Sequence, residues 1–397
     1  MPEHVIVGGG IAGFSALDKL VEEGERDVLL VSREKYPLYN RVDLKKFPKT
    51  SMEVQDLLMK KPGDYPEEVQ ILLNTEVEGL DTEEKEIVTE GGEFSYENLV
   101  LAVGGRPREI PAENNSLEQI HYLWTLDQAR RLKNVARGAE EPVVIGGGLL
   151  GIDLASIFSR TGSEPIYLIR EDAWWEKGLC EPGSRLVEEA MEKDGVEVVH
   201  GEEVQRFLEE DGNLVGVETQ KGNRYSCDVA GVAVGLELNT ELAEEAGIET
   251  GRGLVADEKL ETSTDNIYAA GDVAEYRDVI LEERRIDGSW DGSMSQGKTV
   301  GANMAGEDKV YRNVSVYTVD HFGLNIMSVG DAERKDDREV FFHREGKEYV
   351  QVNVKDGQVV GGVIVGRADL LAELKSGIEE GKALEDVELS VELQKCV

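Results

Sequence analysis

A glycine-rich pattern occurs twice in this chain, and it constrains the fold more than any other feature. Residues 5–13 read VIVGGGIAG, and residues 143–151 read VVIGGGLLG, 138 residues later. Each copy runs from an apolar strand pattern through G-x-G-x-x-G into a helical pattern and a second apolar strand. The first glycine allows a tight turn, the second lets a pyrophosphate approach the backbone, and the third lets helix and strand pack closely. Two such copies predict two dinucleotide-binding domains.

The residue that ends each second strand is expected to contact the adenosine ribose. Glu34 lies 21 residues after Gly13, where a carboxylate accepts hydrogen bonds from ribose hydroxyls. In the second copy Arg170 lies 19 residues after Gly151 and is followed by Glu171. An arginine there suits the 2′-phosphate of NADPH. If Arg170 is instead solvated and Glu171 takes the ribose, the coenzyme is NADH, and both interpretations stay open.

The segments between and after the two copies predict how the domains are arranged. Residues 99–103 read as a buried strand that ends in Gly-Gly-x-Pro, a pattern typical of a crossover between domains, and residues 230–235 repeat it. We therefore expect a discontinuous first domain (1–108 and 236–309), an inserted second domain (109–235) and a smaller C-terminal α+β domain (310–397). The length of 397 residues suits two to three domains at about 150 residues each.

The composition excludes several classes of function. The chain has 43 Lys+Arg against 81 Asp+Glu, a formal net charge of −38, and 40% hydrophobic residues. Its apolar content argues against intrinsic disorder, and its charge argues against nucleic-acid or membrane binding. Two interpretations of this acidity stay open: the protein works in high salt, or it is an ordinary soluble protein with an acidic surface. Without a leader-like or membrane-spanning segment, the sequence predicts a cytoplasmic protein.

Beyond the two glycine patterns, further residues resemble the pyridine nucleotide–disulfide oxidoreductase superfamily of flavoproteins. Residues 267–273, IYAAGDV, look like the return of that family's chain to its FAD domain. Glu34, the Tyr39-Asn40-Arg41 triplet, Leu44 and Lys46 narrow the resemblance to rubredoxin reductases and the flavin module of NAD(P)H nitrite reductases. Trp290 and residues 321–326 match the same subgroup.

The resemblance implies an α/β fold with two Rossmann-like domains of glutathione-reductase type, binding FAD and either NADPH or NADH. The FAD contacts it implies are Gly8, Gly10, Ala12, Gly13, Glu34, Arg41, Lys46, Val77, Ala102, Arg106, Gly271, Asp272 and Met294. The NAD(P)H contacts it implies are Gly146, Gly148, Leu149, Leu150, Gly151, Arg170, Glu171 and Gly235.

Two structural expectations concern the catalytic centre. The resemblance implies a Lys46–Asp153 pair beside the hydride path, with Lys45 as the alternative to Lys46. Residues 293–297 are expected to precede a helix over 298–305 whose N-terminus faces the flavin, which would place Met294 at the cofactor.

The five histidines are scattered in the sequence and are interpreted as structural and unpaired.

The cysteines decide the expected class of reaction. Residues 39–58 contain no cysteine, so the thiolate relay of disulfide reductases is not expected. Cys180, Cys227 and Cys396 show no CxxC spacing, so neither a metal site nor a disulfide framework is predicted. Electrons are expected to pass from NAD(P)H through FAD to a small rubredoxin-like carrier, in a monomer or homodimer. The alternatives are an NAD(P)H oxidase that uses oxygen and a non-catalytic flavoprotein binding module.

Overall fold

The computed structural model describes residues 2–396, which divide into two compact units. The first unit comprises residues 2–40, Val54–Arg106 and Glu237–Val316, and the second comprises Arg41–Glu53, Pro107–Leu236 and residues 317–396. The chain thus passes from the first unit to the second after Arg106 and returns at Glu237. The segment Arg41–Glu53, which the sequence suggested for the first domain, and the C-terminal segment both belong to the second unit.

Eight α-helices are present in the described residues. They are α1 (Ile11–Glu23), α2 (Val54–Leu57), α3 (Leu126–Ala136), α4 (Leu149–Thr161), α5 (Glu181–Lys193), α6 (Glu241–Glu245), α7 (Trp290–Met304) and α8 (Leu371–Glu379). Short 3-10 helices cover Arg41–Lys45, Phe47–Lys49, Pro62–Asp64, Ala368–Leu370 and Leu384–Asp386. Both α1 and α4 end at a left-handed glycine, Gly24 and Gly162, whose N–H groups bind carbonyls of the last turn.

The first unit is built on a parallel five-stranded sheet. Its strand order is Ile267–Ala269, Asn98–Leu101, His4–Val7, Val28–Val31 and Gln70–Leu72. Ile6 packs in one apolar cluster with residues of α1 and α7, while Val5 and Val7 pack in a second cluster. Successive side chains alternate between faces, so continuous apolar strands are what a sheet covered on both faces requires.

Two smaller three-stranded sheets also belong to the first unit. One contains Val77–Asp81, Glu86–Thr89 and Gly92–Ser95, and the other contains Leu254–Ala256, Ala274–Asp278 and Glu283–Arg285. A further two-stranded sheet pairs Gly105–Pro107 with Leu236–Leu238, at the points where the chain leaves the first unit and returns.

The second unit repeats the parallel sheet and adds antiparallel ones. The parallel order is Glu197–His200, Ile166–Ile169, Pro142–Ile145, Val229–Val232 and Ile120–His121. A three-stranded sheet contains Val204–Glu210, Asn213–Thr219 and Arg224–Ser226. The C-terminal sheet has the order Val316–His321, Leu324–Gly330, Gln358–Val365, Glu348–Lys355, Glu339–Glu345 and Gln394–Lys395.

Candidate active site

The glycine-rich turn of the first unit, residues 8–13, leaves open space beside its backbone, and we call this turn the cradle of the first unit. Gly8 has φ +121°, and a Cβ there would collide with the carbonyl of Ala102. A Cβ at Gly13 would meet the carbonyl of Gly8, so only glycine lets α1 lie against the turn. A Cβ at Gly10, by contrast, would meet nothing within 4 Å. Gly10 precedes α1 without a side-chain cap, so the N–H groups of the first turn are donors for an anionic pyrophosphate.

Glu34 lies at the strand end where the ribose contact was predicted. Its carboxylate accepts a hydrogen bond of 2.7 Å from the Tyr39 hydroxyl, and its backbone N–H contacts Ser32 Oγ at 3.3 Å. These contacts hold Glu34 at the end of the strand Val28–Val31. The arrangement fits a carboxylate that contacts the ribose hydroxyls of a dinucleotide.

The Gly271-Asp272 turn lies beside α7. Gln296 is fully buried, and its Oε1 accepts from the Gly271 N–H at 2.7 Å. Ser293 Oγ lies 3.4 Å from a carboxylate oxygen of Asp272. The Nε2 of Gln296 is buried and has no hydrogen-bond partner. A buried donor without a partner is costly in a folded protein, so this atom, like the open cradle, fits a polar group of bound FAD.

Helix α7 begins earlier than the sequence predicted. It starts at Trp290, and Ser289 caps it by accepting from the Gly292 N–H at 3.0 Å. Residues 293–297 are therefore inside the helix, and Met294 lies in its second turn. The expectation that these residues precede the helix was wrong. Two glycines and two serines among the first turns disguise the start, because glycine and serine are weak helix formers.

The remaining residues predicted to contact FAD have varied surroundings. Arg106 donates to Asn239 at 3.0 Å and pairs with Glu237 at 2.8 Å. Arg41 donates to the Trp124 carbonyl within the second unit. Val77 begins a strand of the first unit and is partly buried against an apolar cluster. Their roles, like those of all the predicted contacts, stay predictions.

The second glycine-rich turn reproduces the first. Gly146 has φ +118°, and a Cβ there would collide with the carbonyl of Ala233. A Cβ at Gly151 would meet the carbonyl of Gly146, while one at Gly148 would meet nothing within 4 Å. Leu149 is the first residue of α4, which also lacks a side-chain cap. The second unit thus holds its own cradle for a pyrophosphate. Gly235 follows the adjacent strand with φ +109° and nothing within 4 Å of a Cβ.

The strand end beside this second cradle carries an ion pair. Arg170 contacts Glu171 at 2.8 Å, and the arginine side chain is 63% exposed against 28% for the glutamate. A Cβ on Gly147 would lie 3.4 Å from Glu171 Oε2, so the carboxylate borders the glycine-rich turn. The Trp175 N–H donates to the Gly147 carbonyl at 2.8 Å, whereas Trp174 is fully buried in the core.

The predicted Lys46–Asp153 pair is absent, and Lys45 occupies that place. Lys45 Nζ lies 3.7 Å from Asp153 Oδ1, and both side chains are buried. Lys46 is 56% exposed and pairs with Asp43 at 2.7 Å. Lys45 is the last residue of one 3-10 turn, and Lys46 is the residue that precedes the next one, so the two adjacent side chains reach different partners. Lys45, the alternative from the sequence, is therefore the lysine that contacts Asp153.

His321 also contacts Asp153, so the interpretation of the histidines as unpaired was wrong. Its Nε2 lies 2.5 Å from Asp153 Oδ1, and burial lowers the pKa of the imidazole although Asp153 opposes that shift. A signal for this contact was present in α4: Asp153 and Ser156 are polar, lie three residues apart on one helix face, and interrupt an otherwise apolar segment.

The cysteines also differ from the expectation. Cys180 and Cys396 form a disulfide, with Cα atoms 6.4 Å apart and 216 residues between them in sequence. The expectation that the cysteines form no disulfide framework was wrong for these two. Cys227 is a free buried thiol, and burial raises its pKa to about 12. Since the thiolate is the nucleophile, Cys227 is suited to packing rather than to redox chemistry.

Comparisons with known proteins agree with this geometry. Residues 2–297 match the family model of pyridine nucleotide-disulphide oxidoreductases, and residues 317–382 match that of the rubredoxin NAD+ reductase C-terminal domain. An NADH-rubredoxin oxidoreductase of Clostridium acetobutylicum is 26% identical over 386 residues, which cover 96% of each chain. An NAD(P)H nitrite reductase of Bacillus subtilis is 26% identical over 371 residues, which cover 91% of this chain and 45% of that protein.

A solved ferredoxin reductase from Rhodopseudomonas palustris shares the fold, with a TM-score of 0.90 and 24% identity over 98% of each chain. The predicted α/β class, with two parallel-sheet cores and a smaller C-terminal domain, is confirmed. Within residues 2–396, no helix combines the length and apolarity needed to cross a bilayer.

Proposed function

Because the chain belongs to the pyridine nucleotide-disulphide oxidoreductase family and is an FAD-dependent NAD(P)H oxidoreductase, we propose that its electrons leave to a small rubredoxin-like redox protein. The observation that carries this proposal is the match of residues 317–382 to the C-terminal domain of rubredoxin reductases. The C. acetobutylicum relative, named for rubredoxin, supports it over 96% of each chain.

When bound, FAD would supply the chemistry of accepting a hydride equivalent and releasing its electrons singly, and residues of this chain would hold it in place. Gly10 and the first turn of α1 receive the pyrophosphate, while Glu34 accepts from the adenosine ribose. Asp272, which Ser293 contacts, and the unpartnered Nε2 of Gln296 would bind the polar chain of the flavin. Gly148 and the first turn of α4 receive the pyrophosphate of the nicotinamide coenzyme.

Lys45 and Asp153 are the proposed polar pair beside the hydride path. Asp153 lies two residues after Gly151, near the N-terminus of α4, which brings it close to the dinucleotide cradle of its own unit. The buried carboxylate holds the Lys45 ammonium in one orientation at 3.7 Å. Such an orienting charge pair favours hydride transfer because it positions the reactants before reaction.

Variants of the two adjacent lysines test this assignment. We expect Lys45→Met to slow flavin reduction by NADH about 10²-fold, since positioned polar groups contribute at least that much. Lys46→Met, the matched control for charge and chain position, should change the rate less than about threefold. Anaerobic stopped-flow absorbance of the flavin measures both rates. Equal rates in the two variants would remove the Lys45–Asp153 pair from the mechanism.

NADH is the coenzyme we propose. The Glu171 carboxylate borders the glycine-rich turn, while the Arg170 side chain is largely exposed. A carboxylate accepts from the 2′-hydroxyl of NADH and repels the 2′-phosphate of NADPH. Comparison of kcat/KM for the two coenzymes tests this assignment, and a preference for NADPH would reverse it.

The acceptor is tested by mixing the reduced protein with an acidic rubredoxin. The net charge of −38 predicts repulsion between the two proteins at low salt. We expect the transfer rate to rise between about 0.1 M and about 1 M KCl, because the screening length falls from about 10 Å to about 3 Å. A rate that falls with salt would instead indicate a basic docking patch.

Aerobic turnover without a carrier separates the reductase from an oxidase. A reductase should consume oxygen slowly and accelerate when rubredoxin is added. Rapid carrier-free turnover would favour the oxidase. Failure of NADH and NADPH to bleach the flavin would favour a non-catalytic binding module.

A cytoplasmic location is also proposed, because reduced nicotinamides are supplied there, and cell fractionation tests it. Light scattering tests whether the protein is a monomer or a homodimer.

A further inference from the structure

A buried cluster in the second unit contains more polar groups than the Lys45–Asp153 pair requires. His321 lies in its centre, with Nε2 2.5 Å from Asp153 Oδ1 and Nδ1 3.3 Å from Lys49 Nζ. Ser156 Oγ lies 2.8 Å from Lys49 Nζ and 3.3 Å from His321 Nδ1. The members come from two 3-10 turns, helix α4 and the first strand of the C-terminal sheet.

Hydrogen-bond chemistry determines which atom donates in this cluster. A charged lysine only donates, and a carboxylate only accepts. His321 Nδ1 therefore accepts from Lys49, and His321 Nε2 carries the hydrogen that is donated to Asp153. The result is a continuous line of hydrogen bonds from Lys49 through His321 to Asp153, at whose far end lies Lys45.

The cluster also connects a buried group with a more accessible one. The Asp153 side chain is 5% exposed, whereas Lys49 is only partly buried. Burial lowers the pKa of Lys49 to about 8; Asp153 and Asp320 oppose this shift, and Lys45 and Arg160 add to it. Lys49 is thus charged below about pH 8 and neutral above it. Burial also lowers the pKa of the His321 imidazole; Asp153 opposes this shift, and Lys49 and Lys45 add to it.

We propose that His321 is a proton relay between Asp153 and Lys49, which gives the proton released during carrier reduction a path out of the buried site. Oxidation of one NADH by two one-electron carriers leaves one proton to be discharged. When Asp153 holds that proton and Lys49 is neutral, Asp153 donates to Nε2 and the imidazole hydrogen lies on Nδ1, where it is donated to Lys49. The Asp153 proton then passes to His321 Nε2 while the Nδ1 hydrogen passes to Lys49, which restores the arrangement with charged Lys49 described above. The imidazole stays neutral and changes tautomer, and Asp153 becomes a carboxylate again.

This inference rests on the proposed function for the source of the proton, but the relay geometry is testable separately. The first experiment is ¹⁵N NMR of the histidine-labelled holoenzyme between about pH 6 and about pH 10. The signal of His321 is assigned by its loss in His321→Gln. We expect a neutral imidazole throughout and a change in its Nδ1 shift with a midpoint near pH 8, as Lys49 loses its proton.

Lysine variants show whether that change comes from Lys49. In Lys49→Met the midpoint near pH 8 should disappear, whereas Lys46→Met, which removes an exposed charge from the same segment, should retain it. A His321 signal that titrates with its own midpoint near the ordinary histidine pKa, or that is flat in the wild type, would overturn the relay.

Proton release is the second readout. A pH-indicator dye follows the proton in a single turnover with rubredoxin, while absorbance follows flavin and carrier. We expect His321→Gln to slow proton release at least about tenfold and flavin reduction by NADH less than about threefold. Unchanged proton release would contradict the relay. If the wild type reduces its flavin but not rubredoxin, the proposed acceptor fails, while the NMR result still decides the relay.

Discussion

The two glycine-rich turns are nearly identical in backbone and different in what surrounds their helices. Gly8 and Gly146 have φ values of +121° and +118°, and each would clash with a carbonyl of the adjacent strand end if it carried a Cβ. Two residues after the last glycine, however, Ser15 occupies the first copy and Asp153 the second. The shared backbone accounts for dinucleotide binding in both copies, and it does not account for the chemistry of either.

The two copies differ at this position because different elements pack against α1 and α4. Helix α7 lies against α1, where a Cβ at Gly297 would be 2.9 Å from the Ser15 Cβ, so small residues suit that interface. Helix α4 is approached instead by a short segment that brings Lys45 and Lys49 to Asp153 and Ser156. One copy therefore has a close-packed helix interface, and the other has a buried charged cluster.

The largest effects are expected from glycine-to-alanine substitutions, which should affect FAD binding in one cradle and reduction by NADH in the other. Gly13→Ala should reduce the bound FAD at least about tenfold, because the new methyl group meets the Gly8 carbonyl and displaces α1. Gly151→Ala should retain FAD but slow its reduction by NADH about 10²-fold or more. Flavin absorbance and stopped-flow reduction measure these effects. Gly63→Ala, where a Cβ meets nothing within 4 Å, is the control. Loss of FAD in Gly151→Ala would contradict separate sites.

The disulfide stabilises only one of the two regions. Every cysteine of the chain falls within the second unit, and Cys180–Cys396 closes a long loop there. We expect Cys396→Ser to lower the free energy of unfolding by about 2–5 kcal/mol, seen by calorimetry as a Tm decrease. Reductant should reproduce the decrease in the wild type and add nothing in the variant. An unchanged Tm would show that the cross-link does not stabilise the second unit.

The ribose acids of the two copies are expected to serve different coenzymes. Glu171→Gln should raise KM for NADH about tenfold or more, because it weakens a hydrogen bond to a charged acceptor. The FAD content, for which Glu34 is the proposed ribose contact, should stay unchanged. Steady-state kinetics and flavin absorbance check the two halves of this prediction. An unchanged KM would exclude Glu171 from the ribose site.

The smallest effect is expected at Arg170. Its side chain is largely exposed, and its ion pair with Glu171 is of the exposed kind, which contributes about 0–1 kcal/mol. Arg170→Ala should therefore change kcat/KM for NADH less than about threefold. A selective loss of activity with NADPH would restore the interpretation that Arg170 binds a 2′-phosphate.

Much of the secondary structure around the cradles was predictable. The strand and helix that flank each glycine-rich turn are present as the sequence predicted. In the C-terminal sheet, the apolar segments 340–342, 349–354 and 359–365 lie within the strands Glu339–Glu345, Glu348–Lys355 and Gln358–Val365. Alternating or continuous apolar residues and Gly-containing turns predict such elements locally. The start of α7 was missed because its cap, Ser289, is followed by weak helix formers rather than by a periodic apolar pattern.

Sequence alone was sufficient for the two dinucleotide cradles, because only glycine satisfies the backbone angles and close approaches at Gly8, Gly13, Gly146 and Gly151. Tertiary structure decided which side chains meet around Asp153. Lys45 contacts it from the end of a 3-10 turn, whereas Lys46, just outside that turn, is exposed and pairs with Asp43. His321 arrives from a strand 168 residues away, and Cys396 reaches Cys180 across 216 residues. Such contacts depend on how distant segments pack, so a local pattern such as the polar pair in α4 indicates a buried polar site but not its partner.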